Sequence, residues 1–375
     1  MDELRSVSAG EGRSPTRRPA SRIGQLQAIL GPPYEADALF ISALHDIRWA
    51  VGFTGSNALL VVTHTAAFLL TDGRYKEQAR REVVGAEVRI VSGELIAYVS
   101  ENELVPAGGR FVIQSDAITV AAYEKLRHRF EAATFHPESG LLDAAVASKS
   151  PQEVAHVRAA QTVTDDVFDA MLPAIQPGIT ERQLAAQLTF AHLERGASAM
   201  SFEPIVASGP NSALPHARPT DRILQRGDVV LIDMGAYVEG YSSDMTRTVV
   251  LGPASDDVRH AYEAVLQAQA AAISTARAGM SGSELDATAR DVLTEAGFGP
   301  QFTHSLGHGV GLRVHEWPRL SQLVAHTLPI GATVTIEPGV YFPGRFGIRI
   351  EDIIALHETG YDNLTRAPKA LLELT

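Results

Sequence analysis

A helix–helix–strand arrangement occurs twice in the C-terminal part of this sequence, and it limits the folds that the chain can adopt. A Thr-x-x-Gln capping box opens at Thr180 and a Ser-x-x-Glu capping box at Ser281, and each predicts a helix start. Three residues recur at a constant offset of 101: Gly178, Leu184 and Gly196 match Gly279, Leu285 and Gly297. We therefore predict two half-domains of similar shape that face each other, with a ligand site between them.

Longer helices precede both capping boxes. The first is predicted at residues 150–175, because Ser150, Pro151 and Glu153 form a capping box with a helix-starting proline. The second is predicted at residues 261–277. Glycine-punctuated strands follow each helix pair, so the order of elements repeats together with the glycines.

Four acidic residues lie in or beside hydrophobic, strand-like runs of these halves. Asp233 and Asp244 belong to the first half, where a glycine-containing connection predicts a hairpin that brings them together. Glu337 ends a strand of the second half, and Glu351 lies inside the β-forming run 347–354. Carboxylates among Val, Leu and Ile are costly to bury unless they are paired or bind metal. The alternative is that these acids are strand-end surface groups, or partners of a nearby arginine, Arg247.

Three histidines and three glycines lie between residues 304 and 316, among them His304, His308 and His315. Glycine lets a backbone approach a ligand closely, and histidine is both a common metal ligand and an acid–base group near neutral pH. Alone, such a cluster is often a harmless surface feature. Here acids precede and follow it, and four nearby carboxylates cannot all stay ionised without cations. We infer a two-metal hydrolase whose ligands are four acids and one histidine.

Composition narrows the function classes further. A net charge of −12 argues against general nucleic-acid binding, which requires a basic face. The chain has no cysteine, so any metal must be held by Asp, Glu and His, a set that suits manganese, cobalt, iron or zinc. No apolar run approaches the ~18 residues of a transmembrane helix. We predict no membrane partner and, by default, a cytoplasmic location.

The N-terminal part of the sequence predicts a separate small domain. Residues 1–20 are rich in Arg, Ser, Pro and Gly, and we predict a disordered tail or an over-extended start there. Residues 21–147 alternate short apolar strands with helices, which indicates a small α/β domain. The strands are predicted at 38–41, 58–62, 67–70, 87–91 and 110–113, and the helices at 23–30, 75–83 and 119–130. The second domain is predicted at 148–375.

With these residues identified, the sequence resembles the "pita-bread" metallopeptidase family, M24, which includes methionine aminopeptidase, aminopeptidase P and prolidase. The resemblance covers residues 148–370 and rests on five motifs in order: Ile232-Asp233-Met-Gly235, Ser243-Asp244-Met-Thr246, Gly307-His308-Gly-Val-Gly311, Ile336-Glu337-Pro-Gly339 and Arg349-Ile-Glu351-Asp352. It implies an α/β (α+β) protein in which a small creatinase-like domain precedes a pita-bread domain with pseudo-two-fold symmetric halves.

The family pattern implies that Asp233, Asp244, His308, Glu337 and Glu351 bind two divalent ions. Mn²⁺ is the first choice, with Co²⁺, Zn²⁺ or Fe²⁺ as alternatives. Asp244 and Glu351 would bridge the two ions, and Glu337 would also move the proton of the nucleophile.

Two further histidines match the substrate-binding histidines of the family. His216 and His315 would hydrogen-bond the scissile carbonyl and stabilise the tetrahedral intermediate. The alternative for His216 is an ordinary loop position after a proline. Tyr341 is expected to line the pocket, and Arg349 to orient Glu351 or to contact substrate.

The N-terminal domain indicates the branch of the family. Residues 45–56 and 71–75 resemble the domain that aminopeptidase P and prolidase carry before their catalytic domain. In those enzymes it mediates dimer contacts, so we expect a homodimer with Trp49 or His45 near a shared site. The alternative is that Trp49 and Phe53 are core residues.

The resemblance implies a peptidase that cuts after the N-terminal residue of substrates with proline at the second position. Our first choice is an aminopeptidase P, which accepts longer peptides, and the alternative is a prolidase, which accepts dipeptides only. A non-peptidase relative, either a creatine-hydrolysing enzyme or a binding module, is disfavoured because all five ligand motifs are intact. A structural calcium site is disfavoured because such sites usually avoid histidine.

Overall fold

The computed structural model describes residues 21–375, so the tail predicted at residues 1–20 lies outside the described residues. Two compact units divide this part of the chain, one ending at Ser139 and the other spanning Gly140–Thr375. The boundary that we placed between residues 147 and 148 stays a prediction. None of the helices within residues 21–375 combines the length and the apolar composition that crossing a membrane requires.

The first unit is a six-stranded mixed sheet with helices. Its helices are α1 Arg22–Ile29, α2 Leu44–Val51, α3 Lys76–Glu82, α4 Leu95–Glu101 and α5 Val120–Arg129. Its strands are β1 Ala38–Ile41, β2 Ala58–Thr63, β3 Ala67–Asp72, β4 Glu87–Val91, β5 Arg110–Gln114 and β6 Thr134–Glu138. The strand order is β4-β3-β2-β1-β5-β6, in which β2 runs antiparallel to both of its neighbours.

The predicted elements of this unit are all present, within two residues of their predicted ends. Three short elements escaped prediction: α2, α4 and β6. No side-chain cap begins α2 or α4, and β6 contains Pro137 on an outer strand. Trp49 and Phe53 are buried, at 3% and 1% exposure, so the core alternative describes both residues within this unit. A dimer site at His45 stays a prediction.

The second unit consists of two helix pairs, each packed on a sheet. Its helices are α6 Asp143–Ala147, α7 Pro151–Met171, α8 Glu181–Glu194, α9 Asp256–Thr275 and α10 Gly282–Glu295. The first half contributes β7 Ala199–Met200, β8 Ile205–Ser208, β9 Val229–Met234, β10 Ala236–Val238, β11 Tyr241–Ser242 and β12 Met245–Leu251. The second half contributes β13 Gly307–Gly309, β14 Glu316–Leu320, β15 Thr333–Ile336, β16 Gly339–Phe342, β17 Phe346–Arg349, β18 Asp352–His357, β19 Gly360–Asn363 and β20 Leu372–Leu374.

Each half has a main sheet and an apolar core, although β20 of the second half pairs in parallel with β12 in the sheet of the first half. The sheet β20-β12-β9-β8 packs against α7 and α8 through residues such as Phe168 and Leu188. The sheet β14-β13-β15-β18-β19 packs against α9 and α10 through residues such as Val265 and Leu285. Burial of these apolar side chains is the main favourable contribution to the free energy of folding of each layer pair.

Backbone contacts confirm the predicted repeat. Both capping boxes are complete, at Thr180 for α8 and at Ser281 for α10. In the first half the N–H of Arg182 donates to the carbonyl of Thr220, and in the second half the N–H of Ser283 donates to the carbonyl of Val324. The pseudo-symmetric halves therefore share the way in which the second helix of each pair contacts the chain that follows it.

Two predicted elements differ from the structure. Helix α9 begins at Asp256, five residues before the predicted start, because the Ser255 side chain caps it. The run 347–354 is not one strand, since β17 ends at Arg349 and β18 begins at Asp352. Glu351 therefore lies in a break between two strands, not inside one.

Candidate metal centre

The β9–β12 pair brings Asp233 and Asp244 to one end of the first half. Asp233 faces Thr246 across the antiparallel ladder, and Asp244 directly precedes β12. Both side chains are buried, at 9% and 4% exposure. The predicted hairpin is present, since β9 and β12 pair antiparallel. The segment that joins them is not a simple turn, because it contains the short paired strands β10 and β11.

The second half contributes His308, Glu337 and Glu351 to the same place. His308 lies on β13, and its Nε2 is 3.3 Å from Oε1 of Glu337 and 3.7 Å from Oδ2 of Asp244. Ligand atoms of Asp244, His308 and Glu351 all lie within 4.8 Å of one another, and all three residues are buried. The structure thus brings together all five residues that the sequence suggested as metal ligands.

The protonation of His308 suits a metal ligand. Its Nδ1 lies 3.0 Å from the carbonyl oxygen of Gly309, and because a carbonyl can only accept, Nδ1 carries the proton. Burial and the neighbouring His315 lower the pKa of His308 to about 3, so the ring is neutral near pH 7. The lone pair on Nε2 therefore points at carboxyl oxygens, and either a carboxyl proton or a bound cation must relieve the repulsion between them.

The pKa values of the neighbouring carboxyl groups also indicate a metal site. Burial raises the pKa of Asp244 well above its usual range, and the charges of Glu351, Asp233 and Glu337 raise it further. Burial, together with Glu337 and Asp233, likewise raises the pKa of Glu351, and burial raises that of Glu337 to about 7. Divalent cations are the groups that would let these acids ionise together.

Arg349 lies behind the acids and is itself buried. Its guanidinium donates from Nη2 to Oδ2 of Asp233 at 2.6 Å, from Nε to Oγ1 of Thr246 at 2.9 Å and from Nη1 to the Tyr341 hydroxyl at 2.9 Å. Oδ1 of Asp233 is buried and has no hydrogen-bond partner among the described residues. Arg349 thus fixes one oxygen of Asp233 and leaves the other for a ligand.

The sequence raised Arg247 as a possible ion-pair partner of the buried acids, and the structure places it elsewhere. It pairs with Asp352 at 2.8 Å and donates to the carbonyls of Glu351 and Ala367. It does not pair with Asp233 or Asp244. Arg247 instead fixes the backbone next to Glu351, at the break between β17 and β18.

His304 belongs to this network, although the sequence analysis named it only as a member of the histidine–glycine cluster. Its Nε2 is 2.9 Å from the Tyr341 hydroxyl, and its Nδ1 is 2.8 Å from the carbonyl of Ser305. Since Arg349 donates to the Tyr341 oxygen, the hydroxyl proton is directed at His304. Burial lowers the pKa of His304 to about 4, which keeps it a neutral acceptor. Its spacing of four residues before His308 was the available signal.

A cavity of about 500 Å³ opens over these groups. His216 and His315 both line it, as do Arg349 and the five acid and histidine residues described above. The rings of His315 and His308 meet edge to face with centroids 4.3 Å apart. Tyr341, which we expected to line the pocket, is instead buried behind Arg349, whose Nη1 donates to its hydroxyl.

Glu203 also lines the cavity and was not singled out from the sequence, and neither were two arginines, Arg218 and Arg319. Both arginines line the cavity and both are exposed. Neither forms an ion pair with another residue in the described part of the chain, unlike Arg349. Nothing in the sequence distinguishes them from other surface arginines, so only their placement reveals them.

Sequence and structure comparisons agree with this geometry. The profile of metallopeptidase family M24 matches residues 155–358, and that of the creatinase/prolidase N-terminal domain matches residues 22–145. An Xaa-Pro dipeptidase of Pyrococcus furiosus is 43% identical over 224 residues, which is 60% of this chain and 64% of that protein.

Solved structures match nearly the whole chain. An Xaa-Pro dipeptidase from Bacillus anthracis superposes with a TM-score of 0.90 at 36% identity and covers 94% of this chain and 99% of its own. An X-Pro aminopeptidase from Thermotoga maritima superposes with a TM-score of 0.85 at 35% identity and covers 91% and 98%. These matches extend over both units of the chain.

Proposed function

The chain belongs to metallopeptidase family M24, and from that premise we propose that it is an Xaa-Pro dipeptidase, a prolidase, that uses divalent metal. Relatives named Xaa-Pro dipeptidase support this alternative better than our first choice from the sequence, an aminopeptidase P. The observation that carries the metal-dependent chemistry is the neutral His308, whose Nε2 lies among buried carboxylates.

The residues present fit two divalent ions. Asp233 offers a buried oxygen without a partner, and Asp244, His308, Glu337 and Glu351 supply the remaining donors. Carboxylate oxygens with one imidazole suit Mn²⁺, our proposed metal, and also accept Co²⁺, Zn²⁺ or Fe²⁺. When bound, the ions would polarise the scissile carbonyl and lower the pKa of the attacking water.

The protein's own groups would perform the proton transfers and hold the substrate. Glu337, which lines the cavity beside His308, can take a proton from the attacking water and return it to the leaving proline nitrogen. His216 and His315 face the cavity and can donate hydrogen bonds to the scissile carbonyl oxygen as it gains charge.

Arg218 and Arg319 supply a reason for dipeptide preference. A dipeptide brings a free carboxylate within a few atoms of the scissile bond, whereas a longer peptide has an amide there. Two guanidinium groups without acidic partners suit that carboxylate. We also propose a homodimer and a cytoplasmic location, as the sequence predicted, and light scattering tests the first.

The test is the release of free proline from an Xaa-Pro dipeptide by Mn²⁺-loaded protein, with chelated protein as the control. We expect turnover that chelation abolishes and added Mn²⁺ restores. Arg319→Gln should lower kcat/KM for the dipeptide, while Arg277→Gln, at an exposed arginine away from the cavity, should not. Turnover that survives complete metal removal would overturn the proposal.

A second candidate is the aminopeptidase P activity of our first choice. The Thermotoga maritima structure named X-Pro aminopeptidase favours it, because it matches this chain over 91% of its length. Substrate length separates the two candidates, since an aminopeptidase P cleaves tripeptides and longer peptides.

A further inference from the structure

The loop that carries His216 is fixed at both ends by one buried carboxylate, Glu181. Oε1 of Glu181 accepts from the N–H and the hydroxyl of Ser208, both at 2.7 Å. Oε2 accepts from the N–H of Thr220 at 3.0 Å and from its hydroxyl at 2.6 Å. The side-chain amide of Asn211 lies 3.1 Å from both oxygens. Residues at the start and at the end of the loop thus share one acceptor group.

The position of Glu181 in α8 explains why a full negative charge is stable there. Glu181 is the first residue of the helix, directly after the Thr180 cap, where the helix dipole favours an anion. The residue is fully buried, and burial alone would raise its pKa. Hydrogen bonds from Thr220 and Ser208 outweigh that effect, so the pKa of Glu181 is lowered. Glu181 is therefore an ionised acceptor with five donor groups around it.

A second layer of contacts stabilises the start of the loop. Arg222 donates to the Ser208 hydroxyl at 2.6 Å and pairs with Asp228 through two hydrogen bonds. Gly209 has φ +50°, and a Cβ there would lie 2.7 Å from both Arg222 Nη2 and Asp228 Oδ1. Glycine suits this position, because a side chain would strain the backbone at this φ and would displace the paired ends of Arg222 and Asp228.

The centre of the loop contacts the second half of the same unit. The N–H of Gly347 donates to the Ser212 hydroxyl at 2.9 Å, and Arg349 donates to the carbonyl of Pro215 at 3.2 Å. Pro215 directly precedes His216. The Arg349 side chain that holds Asp233 therefore also contacts the backbone next to His216.

His216 itself is exposed and forms no hydrogen bond with another described residue. Its place at the cavity thus depends on the backbone of the loop rather than on contacts of its ring. We infer that Glu181 is a positioning residue for the hydrolytic reaction: by holding residues 208–220 it sets the distance of His216 from the scissile carbonyl. This inference rests on the proposed function of His216 as a donor to that carbonyl.

Glu181→Gln is the sharpest test, because it keeps the size of the side chain and removes one acceptor. Whichever way the new amide turns, its NH₂ group faces the donors of Ser208 or of Thr220. We expect kcat to fall on the order of 10–10²-fold with little change in KM, since small misplacements of a reacting group are costly. Glu194→Gln, at an exposed position on the same helix, is the matched control and should retain wild-type kcat.

The His216→Ala background separates a positioning role from a purely structural one. If Glu181 acts through His216, adding Glu181→Gln to His216→Ala should cause no further loss of kcat. An equal fold-loss in both backgrounds, or wild-type kcat in the single variant, would overturn the inference. If the Glu181→Gln variant does not fold, Thr220→Val replaces it in this test. This variant removes only one donor to Glu181, so it should show the same pattern with a smaller loss of kcat.

Hydrogen exchange tests the loop contact without any substrate. Amides of residues 209–220 should exchange faster in Glu181→Gln than in wild type, and those of the control Glu194→Gln should not. If metal-loaded wild type fails to cleave Xaa-Pro peptides, the proposed function fails while this measurement still applies. Unchanged exchange in the loop would overturn the role of Glu181, whatever the substrate.

Discussion

Nη2 of Arg349 lies 2.6 Å from Oδ2 of Asp233, and the other oxygen of that carboxylate is buried without a hydrogen-bond partner among the described residues. The guanidinium also contacts Tyr341 and Thr246, so it orients Asp233 from a fixed place. An arginine fork can do this, whereas a lysine supplies charge without the same geometry.

Arg349→Lys should therefore lower kcat/KM by about 10–100-fold, the usual cost of losing a group that orients a metal ligand. Apparent Mn²⁺ affinity should fall with it, as measured by titration of metal-free protein. Arg345→Lys is the control, because Arg345 directly precedes β17, the strand that ends at Arg349, and pairs with Asp257 on the surface. Equal activity of the two variants would contradict the role of Arg349.

His308→Ala should reduce the amount of metal that the protein retains. The imidazole Nε2 lies within 3.7 Å of two carboxylates, and its removal leaves a site of acids only. Elemental analysis after dialysis should find about two ions per wild-type chain and fewer in the variant. His128→Ala, at an exposed histidine of the first unit, should retain the wild-type amount.

Metal binding should release protons, and its affinity should fall with decreasing pH. Burial raises the pKa values of Asp244, Glu351 and Glu337, the last to about 7, so the metal-free cluster retains protons that ions must displace. Protons compete more strongly with the metal at lower pH. The affinity for Mn²⁺ should therefore be weaker at about pH 5 than at about pH 7. Calorimetry in buffers of different ionisation enthalpy measures the released protons. A binding enthalpy independent of buffer would exclude this coupling.

Glu337→Gln should lower kcat by roughly 10²–10⁴-fold at saturating Mn²⁺, because the amide cannot accept the proton of the attacking water. The variant should keep its fold, since the contact from Thr335 can be made to the amide oxygen. The variant should therefore unfold at nearly the wild-type temperature while its kcat is strongly reduced. Near-wild-type turnover would assign the proton transfer to another group.

Several features of the fold follow from local sequence signals. The capping boxes at Thr180 and Ser281, the strands around Asp233 and Glu337, and the repeat at an offset of 101 all depend on neighbouring residues. Such signals are visible in one sequence because each links groups a few positions apart.

Features that depend on distant partners were not predictable. Glu181 binds groups 27 to 39 residues away, and no spacing rule connects them. Arg218 and Arg319 differ from other exposed arginines by lining the cavity while forming no ion pair with a described residue, and no sequence signal marks that placement. The break at Glu351 was not predicted because its partners lie in the other half: Arg247 donates to the carbonyl of Glu351, and the N–H of Glu351 donates to the carbonyl of Thr246.

The most direct test of the central claim compares three substrates under saturating Mn²⁺: an Xaa-Pro dipeptide, the same dipeptide as its C-terminal amide, and an Xaa-Pro-Xaa tripeptide. A dipeptidase that binds the free carboxylate through Arg218 and Arg319 should have a kcat/KM for the dipeptide well above the values for the dipeptide amide and the tripeptide. Equal or better cleavage of the tripeptide would contradict the dipeptidase and favour the aminopeptidase.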